Sequence, residues 1–321
     1  MIARYAIPFF FLMGLVVVPV ILALLCRWLA PKRYWRRYAL IAAIVIWGLV
    51  FYGHFVGFMG FEVHRYDYAS ADLPKAFDGY RIVHFSDAHV GSLTGWRQGF
   101  LQQAVDSINA LHPDVIVFTG DLQNLHPDEL RQQVSILKQL RAKDGVYSIL
   151  GNHDYPTYLD CDEAEKASLI SQTKDIERQC GWHLLLNEHA VIRRDSDSIV
   201  IAGMENWGKV KRMPRLGDVK KTLAGINSPQ PFIVMLQHDP SCWQEKILPE
   251  CNAQLTLSGH THGGQFSLLG WSPVSMSCDE WGGWYYEGSR ALFVSTGLAG
   301  LIPFRINLPG EIAVITLKMK Y

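Results

Sequence analysis

The chain opens with two unbroken apolar runs, after which short apolar stretches alternate with apolar positions at helical spacing. Residues Ile7 to Cys26 carry no charge, and Ala39 to Phe61 are apolar apart from His54. Each run reaches the roughly 20 residues needed to cross hydrocarbon. Two such runs in succession, flanked by charge, argue against a buried core helix. The second run, and an n-region with Arg4 as its only charge, argue against a cleaved signal peptide. The pattern predicts a two-helix transmembrane anchor over residues 1–61, with a hairpin dipping into one leaflet as the other membrane arrangement. Residues 62–79, ending in the stretch Ala69 to Gly79, read as a linker, and 80–321 as one globular domain.

Within the domain, Tyr80 to Phe85 reads as a buried strand. A helical face comes next with Phe100, Leu101, Ala104, Val105, Ile108 and Leu111, closed by Pro113. Val115 to Thr119 is a second strand. A helix from near Pro127 presents Leu130, Val134, Leu137 and Leu140, and Val146 to Leu150 is a third strand. Further strands are expected at Ile199–Ala202, Phe232–Leu236, Leu255–Leu257, Ala291–Val294 and Ile312–Leu317. The alternation of strand and helix predicts an α/β fold, a sheet covered by helices.

Five of these strands run directly into short loops bearing Asp, Asn or His. They are Ser86-Asp87-Ala88-His89, Gly120-Asp121, Gly151-Asn152-His153-Asp154, Gln237-His238-Asp239-Pro240 and Ser258-Gly259-His260-Thr261-His262-Gly263-Gly264. Ligands bind at the carboxyl ends of strands in open α/β sheets, where loops distant in sequence meet. Asp87, His89, Asp121, Asn152, His238, His260 and His262 together offer imidazole, carboxylate and one amide, without thiolate. That mixture suits Zn, Mn or Fe rather than a closed structural zinc site. Each block alone is a commonplace turn or a satisfied histidine. The ordered set, each block after an apolar strand, is a specific signal.

Charge and cysteine content narrow the function classes. The formal net charge is zero, which gives no support to a basic nucleic-acid-binding module. Between the two apolar runs lie Arg27, Lys32, Arg33, Arg36 and Arg37 with no acid. Basic short loops stay cytoplasmic. The domain is therefore expected outside the cytoplasm, on a membrane crossed twice. The six cysteines include no Cys-x-x-Cys pair. A continuous helix between Cys161 and Cys180 would hold them too far apart to bond, while Cys242–Cys251 remains open.

The five blocks resemble the calcineurin-like metallophosphoesterase superfamily: Asp-x-His, Gly-Asp-x-x-Asn, Gly-Asn-His-Asp, a lone His and Gly-His-x-His. The likeness spans about residues 80 to 318. It is nearest the membrane-associated bacterial YkuE/YaeI-type phosphodiesterase branch, on Gly259 to Gln265 and on the tail Ser295 to Leu298, Pro303-Phe304-Arg305 and Pro309 to Ile312. The resemblance implies a four-layer α/β/β/α sandwich holding two divalent metal ions. One ion would bind Asp87, His89, Asp121 and His262, the other Asp121, Asn152, His238 and His260, with Asp121 between them. It implies a metal-bridging hydroxide that attacks phosphorus in line. His153 would donate a proton to the leaving oxygen or contact phosphate. Asp154 would orient His153 or a ligand imidazole, and Arg305 would contact phosphate or form a surface salt bridge.

The expected activity is therefore hydrolysis of a phosphomonoester, phosphodiester or pyrophosphate. A lipid-linked or envelope substrate would account for the anchor. A membrane-associated UDP-diacylglucosamine-type diphosphatase is the second reading, which needs the opposite topology. A catalytically silent scaffold on the same fold is the third, and would predict missing ligands. Trp271, Trp281, Trp284, Tyr285 and Tyr286 come after the last motif, either as core and loop packing or as a lipid-facing or substrate-facing rim.

Overall fold

In a computed structural model, residues 2–30, 33–210 and 213–320 are described. Lys32 of the basic loop lies outside them. The first apolar run forms α1 (Ile2–Leu12), a π-helical turn at Met13–Val17 and α2 (Val18–Leu29); the second forms α3 (Trp35–Phe55). Pro19 has no N–H to give the Leu15 carbonyl four residues earlier. The indole of Trp47 on α3 donates to that carbonyl instead, at 2.9 Å, and this bond ties the helices together. Only 6% and 11% of the two apolar windows are buried. That exposure separates them from the core helix of a soluble domain, and their lengths of 24 and 25 residues suffice to cross a bilayer.

Among the described residues the strands are β1 (Phe61–Ser70), β2 (Arg81–Phe85), β3 (Val115–Phe118), β4 (Val146–Ser148), β5 (His183–Leu184), β6 (Glu188–Arg194), β7 (Asp197–Gly203), β8 (Phe232–Leu236), β9 (Leu255–Ser258), β10 (Gly283–Glu287), β11 (Arg290–Val294) and β12 (Gly310–Met319). They form two six-stranded sheets, β1-β12-β2-β3-β4-β5 and β10-β11-β9-β8-β7-β6. Successive side chains on a strand point to opposite faces, and here both faces are apolar. Ile82, Val115 and Val117 meet Phe232, Val234 and Leu257 between the sheets. Val83, Ile116 and Phe118 face Phe100, Leu101 and Val105 of α4 (Gly99–Ala110). Ile233 and Met235 face Trp243 and Val219 on the far side. Helix, sheet, sheet and helix thus stack as the expected α/β/β/α sandwich.

The long polar stretch after Cys161 forms α7 (Glu163–Gln179), N-capped by Asp162; Cys161, Cys180, Cys242 and Cys251 are all unpaired. Two sequence expectations change. The helix expected from Pro127 breaks into two single turns, α5 (Asp128–Arg131) and α6 (Val134–Leu137). The Glu129 carboxylate is spent on the preceding loop, accepting from the backbone N–H of Asn124 and Leu125. More consequentially, the stretch 62–79 is no linker. β1 pairs in parallel with β12 over its whole length, from Phe61 opposite Gly310 to Ser70 opposite Met319. One turn, Gly57–Met59, joins α3 to it.

Because β12 runs antiparallel to β2, the start of β12, and of β1 beside it, lies at the carboxyl end of β2. The polypeptide therefore leaves the membrane helices at the same edge of the domain that carries the five loops. A chain truncated to begin at Ala71 loses β1 and uncovers the backbone edge of β12. It should melt at lower temperature and aggregate more than one begun at Gly60, as differential scanning fluorimetry with light scattering would record.

Glu177 of α7 is fully buried; its Oε2 accepts from Ser148 Oγ at 2.6 Å. Burial, and then the charge of Asp154, raise its pKa well above the ordinary carboxylate value. The unfolded chain therefore releases this proton more readily than the native one, so the group costs stability above the ordinary glutamate pKa and nothing below it. Thermal melts of Glu177→Gln should exceed wild type at pH 8, with the gap closing as pH falls through about 4.3.

Candidate metal centre

The loops after β2, β3, β4, β8 and β9 converge at one edge, and their backbones are unusual. Eleven non-glycine residues among those described have positive φ, and five of them are candidate ligands: Asp87 (54°), His89 (39°), Asp121 (60°), His260 (74°) and His262 (53°). Left-handed backbone at a non-glycine residue costs on the order of 1 to 3 kcal/mol and persists only where surroundings enforce it. Here hydrogen bonds between loops do so. Asp87 N–H donates to Gly120 O at 2.9 Å and His89 N–H to Asp121 O at 3.1 Å. His260 N–H donates to the Asp87 carboxylate at 3.0 Å, and His153 N–H to Asp121 Oδ1 at 2.7 Å. Gly151 and Gly259 keep the loops this close, since a Cβ on either would collide with Asp121 or Asp87.

The side chains gather into two groups. Asp87, His89, Asp121 and His262 place one ligand atom each within 4.8 Å of one another, and so do Asp121, His238 and His260. Asp121 belongs to both. Its Oδ2 lies 3.6 Å from His89 Nε2 and 3.2 Å from His238 Nε2. Asn152 Oδ1 is 3.1 Å from His238 Nε2, and His260 Nδ1 is 3.3 Å from it. His262 Nε2 faces Asp87 Oδ1 at 3.4 Å. His238 donates Nδ1–H to Thr119 O at 2.7 Å, which leaves Nε2 as the atom turned inward. His89 Nε2 is buried without a hydrogen-bond partner, an arrangement that a divalent cation would satisfy. A cavity of about 290 Å³ adjoins the second group, lined in part by Asp239, His260, Thr261 and Glu280.

Electrostatics follow the packing. Burial alone would raise the Asp121 carboxyl, but His238, His153 and His89 around it hold it well below the usual carboxylate range. Burial, and next the proximity of His153, push His89 well below an ordinary imidazole. Burial likewise lowers His262 to about 4. His238 goes the other way: burial disfavours its charge, yet Asp121 in contact raises it to about 10. Neutral His89 and His262 beside an ionised Asp121 are in the protonation state a cation requires, whereas His238 would have to give up its second proton to a cation that binds there.

Three residues take places the sequence did not indicate. Asp154 orients neither His153 nor a ligand imidazole. Its buried carboxylate accepts from the backbone N–H of Gly151, Asp121, Leu122 and Gln123, at 2.8 to 3.2 Å, and so fixes the loop after β3. Arg305 meets neither solvent nor a carboxylate, because it is completely buried and its guanidinium donates to five carbonyls. These belong to Leu308, Pro309, Thr296, Gly297 and Ala299. It therefore knits together the loop beside Asp87 and cannot reach a phosphate. Tyr158, which no motif marks, stacks on His153 with ring centroids 4.5 Å apart. It also accepts from Asn152 Nδ2 at 2.9 Å, turning Oδ1 inward.

His153 stands where the motif predicts, half-buried, with its ring 4.9 Å from that of His89. Its Nδ1–H donates to Asn124 O at 2.6 Å, so Nε2 is the atom left to face an entering group. The Asn that closes Gly-Asp-x-x-Asn thereby serves through its backbone.

The calcineurin-like phosphoesterase family profile matches residues 80–264. The chain belongs to that family. It is 32% identical over 253 residues to a transmembrane protein with metallophosphoesterase domain from Danio rerio, covering 77% of this chain and 55% of that one. It thus spans about half the length of that relative. The metallophosphoesterase YkuE of Bacillus subtilis is 31% identical, across 80% of this chain and 85% of its own. UDP-2,3-diacylglucosamine pyrophosphatase LpxG of Chlamydia trachomatis is 28% identical, across 76% and 86%. Membership brings with it the use of divalent metal, and the Asp/His groups are the residues that could hold it.

If Asp154 acts by fixing the ligand loop, Asp154→Asn, which keeps the shape but weakens acceptance of four N–H groups, should lower metal affinity roughly 10- to 100-fold. Calorimetric titration of chelator-stripped protein with Mn²⁺ measures this directly.

Proposed function

We propose that this chain is a membrane-anchored phosphoric ester hydrolase that works with two divalent cations, Mn, Zn or Fe. The observation that carries the reading is the position of Asp121 in both ligand groups, since a carboxylate has two oxygens and can serve two cations at once. Asp87, His89, Asp121 and His262 would hold one cation, and Asp121, Asn152, His238 and His260 the other. When bound, such a pair supplies positive charge against the non-bridging phosphate oxygens and lowers the pKa of a water between them.

The rest falls to the chain's own groups. Thr119 O fixes the His238 ring and Tyr158 fixes the Asn152 amide, so both ligands are set before an ester arrives. His153 carries a proton on Nε2 toward the leaving oxygen, its other nitrogen being held by Asn124 O. Arg305 is spent on the loop, so the substrate's charge is met by cations and His153. The basic loop favours the topology with the catalytic domain outside the cytoplasm. A pyrophosphate-linked lipid, which the LpxG relative bears in its name, is the second reading; the same edge receives the membrane helices, but that reading needs the opposite topology.

Full-length protein in detergent, stripped with chelator and reloaded with Mn²⁺ or Zn²⁺, should hydrolyse a chromogenic phosphodiester or the matching monoester only when reloaded. His153→Ala should lower kcat by about 10² to 10⁴ without loss of bound metal, whereas Asn152→Ala should lose metal. Folded protein that binds no metal and turns over neither ester would overturn the reading and favour the scaffold.

A further inference from the structure

Beyond His262 the backbone runs into a segment that the chemistry above does not use. It turns sharply at Leu268-Leu269-Gly270-Trp271, where Leu268 N–H donates to Trp271 O at 2.8 Å and Trp271 N–H to Leu268 O at 3.0 Å. Both central residues have positive φ, 51° at Leu269 and 80° at Gly270. A turn of this shape favours Asn, Asp or Gly at its first central position, because left-handed backbone penalises other side chains. Leucine is locally unfavourable there, and water does not compensate it: Leu269 is 98% exposed, Met276 81%, Leu268 56% and Trp271 50%. An exposed apolar tip on a strained turn calls for an apolar partner.

The neighbours of the tip identify that partner. Ser267 N–H donates to Ile306 O at 3.0 Å, and Gln265 Nε2 donates to Ile302 O at 2.9 Å and to Phe304 O at 3.0 Å. The tip is thus strapped to the 302–306 loop, and the membrane-length helices grip that same loop. The Phe304 ring lies 4.7 Å from Phe10 of α1 and fills the space where a side chain on Gly53 of α3 would stand. Arg305 N–H donates to Gly53 O at 3.0 Å, and His54 Nδ1–H to Pro303 O at 2.7 Å. Trp284 of the same aromatic cluster behaves otherwise, packing on Tyr68 and Phe293.

We propose that the Leu268–Trp271 hairpin is a membrane finger. It inserts into the bilayer leaflet that α1 and α3 enter beside it and seats the catalytic edge at lipid-headgroup level. Leucine supplies the buried apolar surface and tryptophan the interfacial anchor. One consequence rests on the hydrolase reading: the substrate class is a phosphate ester in the headgroup of an amphipath, reached without leaving the bilayer.

The deciding experiment places an environment-sensitive fluorophore on Leu269→Cys in full-length protein reconstituted into phosphatidylcholine–phosphatidylglycerol vesicles, with the labelled wild type subtracted. Nitroxide-bearing lipids should quench it and aqueous iodide should not. Val191→Cys, on exposed β6, should show the reverse. Iodide quenching at 269 equal to that at 191 overturns the finger, whatever the enzyme's activity. Substrate class is tested separately with Leu269→Asn on hexadecyl p-nitrophenyl phosphate in the vesicle and ethyl p-nitrophenyl phosphate in solution. The ratio of the two rates should fall about tenfold, the factor expected from losing one buried leucine. An unchanged ratio overturns the lipid-substrate consequence. Absence of turnover by wild type on both esters counts against the hydrolase reading and leaves the quenching result to decide the finger.

Discussion

Everything at the catalytic edge depends on holding Asp121, a carboxylate almost wholly withdrawn from water, among several imidazoles. Charge taken out of water is expensive unless it is paired and hydrogen-bonded. The protein meets that cost through the backbone. Asp154 gathers four N–H groups to fix the strand-end turn, His153 N–H binds the Asp121 carboxylate, and five of the candidate ligands lie in left-handed conformations that isolated loops would abandon. Those conformations survive because each loop leaves a strand buried on both faces. The sandwich is in this sense a clamp: its two sheets hold the strand ends in register, and the strand ends hold ligands that would otherwise repel one another or hydrate.

This explains which parts of the fold were legible in the sequence. Strands buried on both faces, such as Phe232–Leu236, announce themselves as short apolar runs, and their terminal loops carry the chemistry immediately afterwards. Edge strands do not. β1 contains Glu62, Arg65 and Asp67, and β6 contains Glu188, Arg193 and Arg194. Charge on an outward face or an open edge is what a sheet border needs, and in a linear sequence it resembles a linker or loop. The broken helix after Pro127 is a different case. Its apolar spacing is helical, but the Glu129 carboxylate turns back to backbone N–H groups three to five residues earlier, a local polar contact that apolar periodicity does not encode.

The site was legible to the same degree and for the same reason. All seven candidate ligands come to one edge because each sits just past a strand. Roles decided by orientation were not legible. Arg305 is a cation near a phosphate site by sequence, yet in the structure it faces inward to five carbonyls, and burial lowers its pKa to about 10. Asp154 comes directly after a histidine and suggests a charge partner, but points at the amides behind it. Tyr158 has no signature, since its contacts with Asn152 and His153 arise from the path of the loop between them.

The single turn between α3 and β1 has one more consequence. A domain on a flexible tether samples many heights and tilts, and the ends of its linker set an effective concentration that falls with length. Here ten paired residues of β1 continue almost directly from the helix, so the distance and attitude of the catalytic edge above the bilayer are set by covalent geometry. On the proposed reading, an anchored hydrolase would meet its substrate by lateral diffusion in a plane, at one fixed altitude, and lengthening that turn would spread the site over a range of heights and tilts.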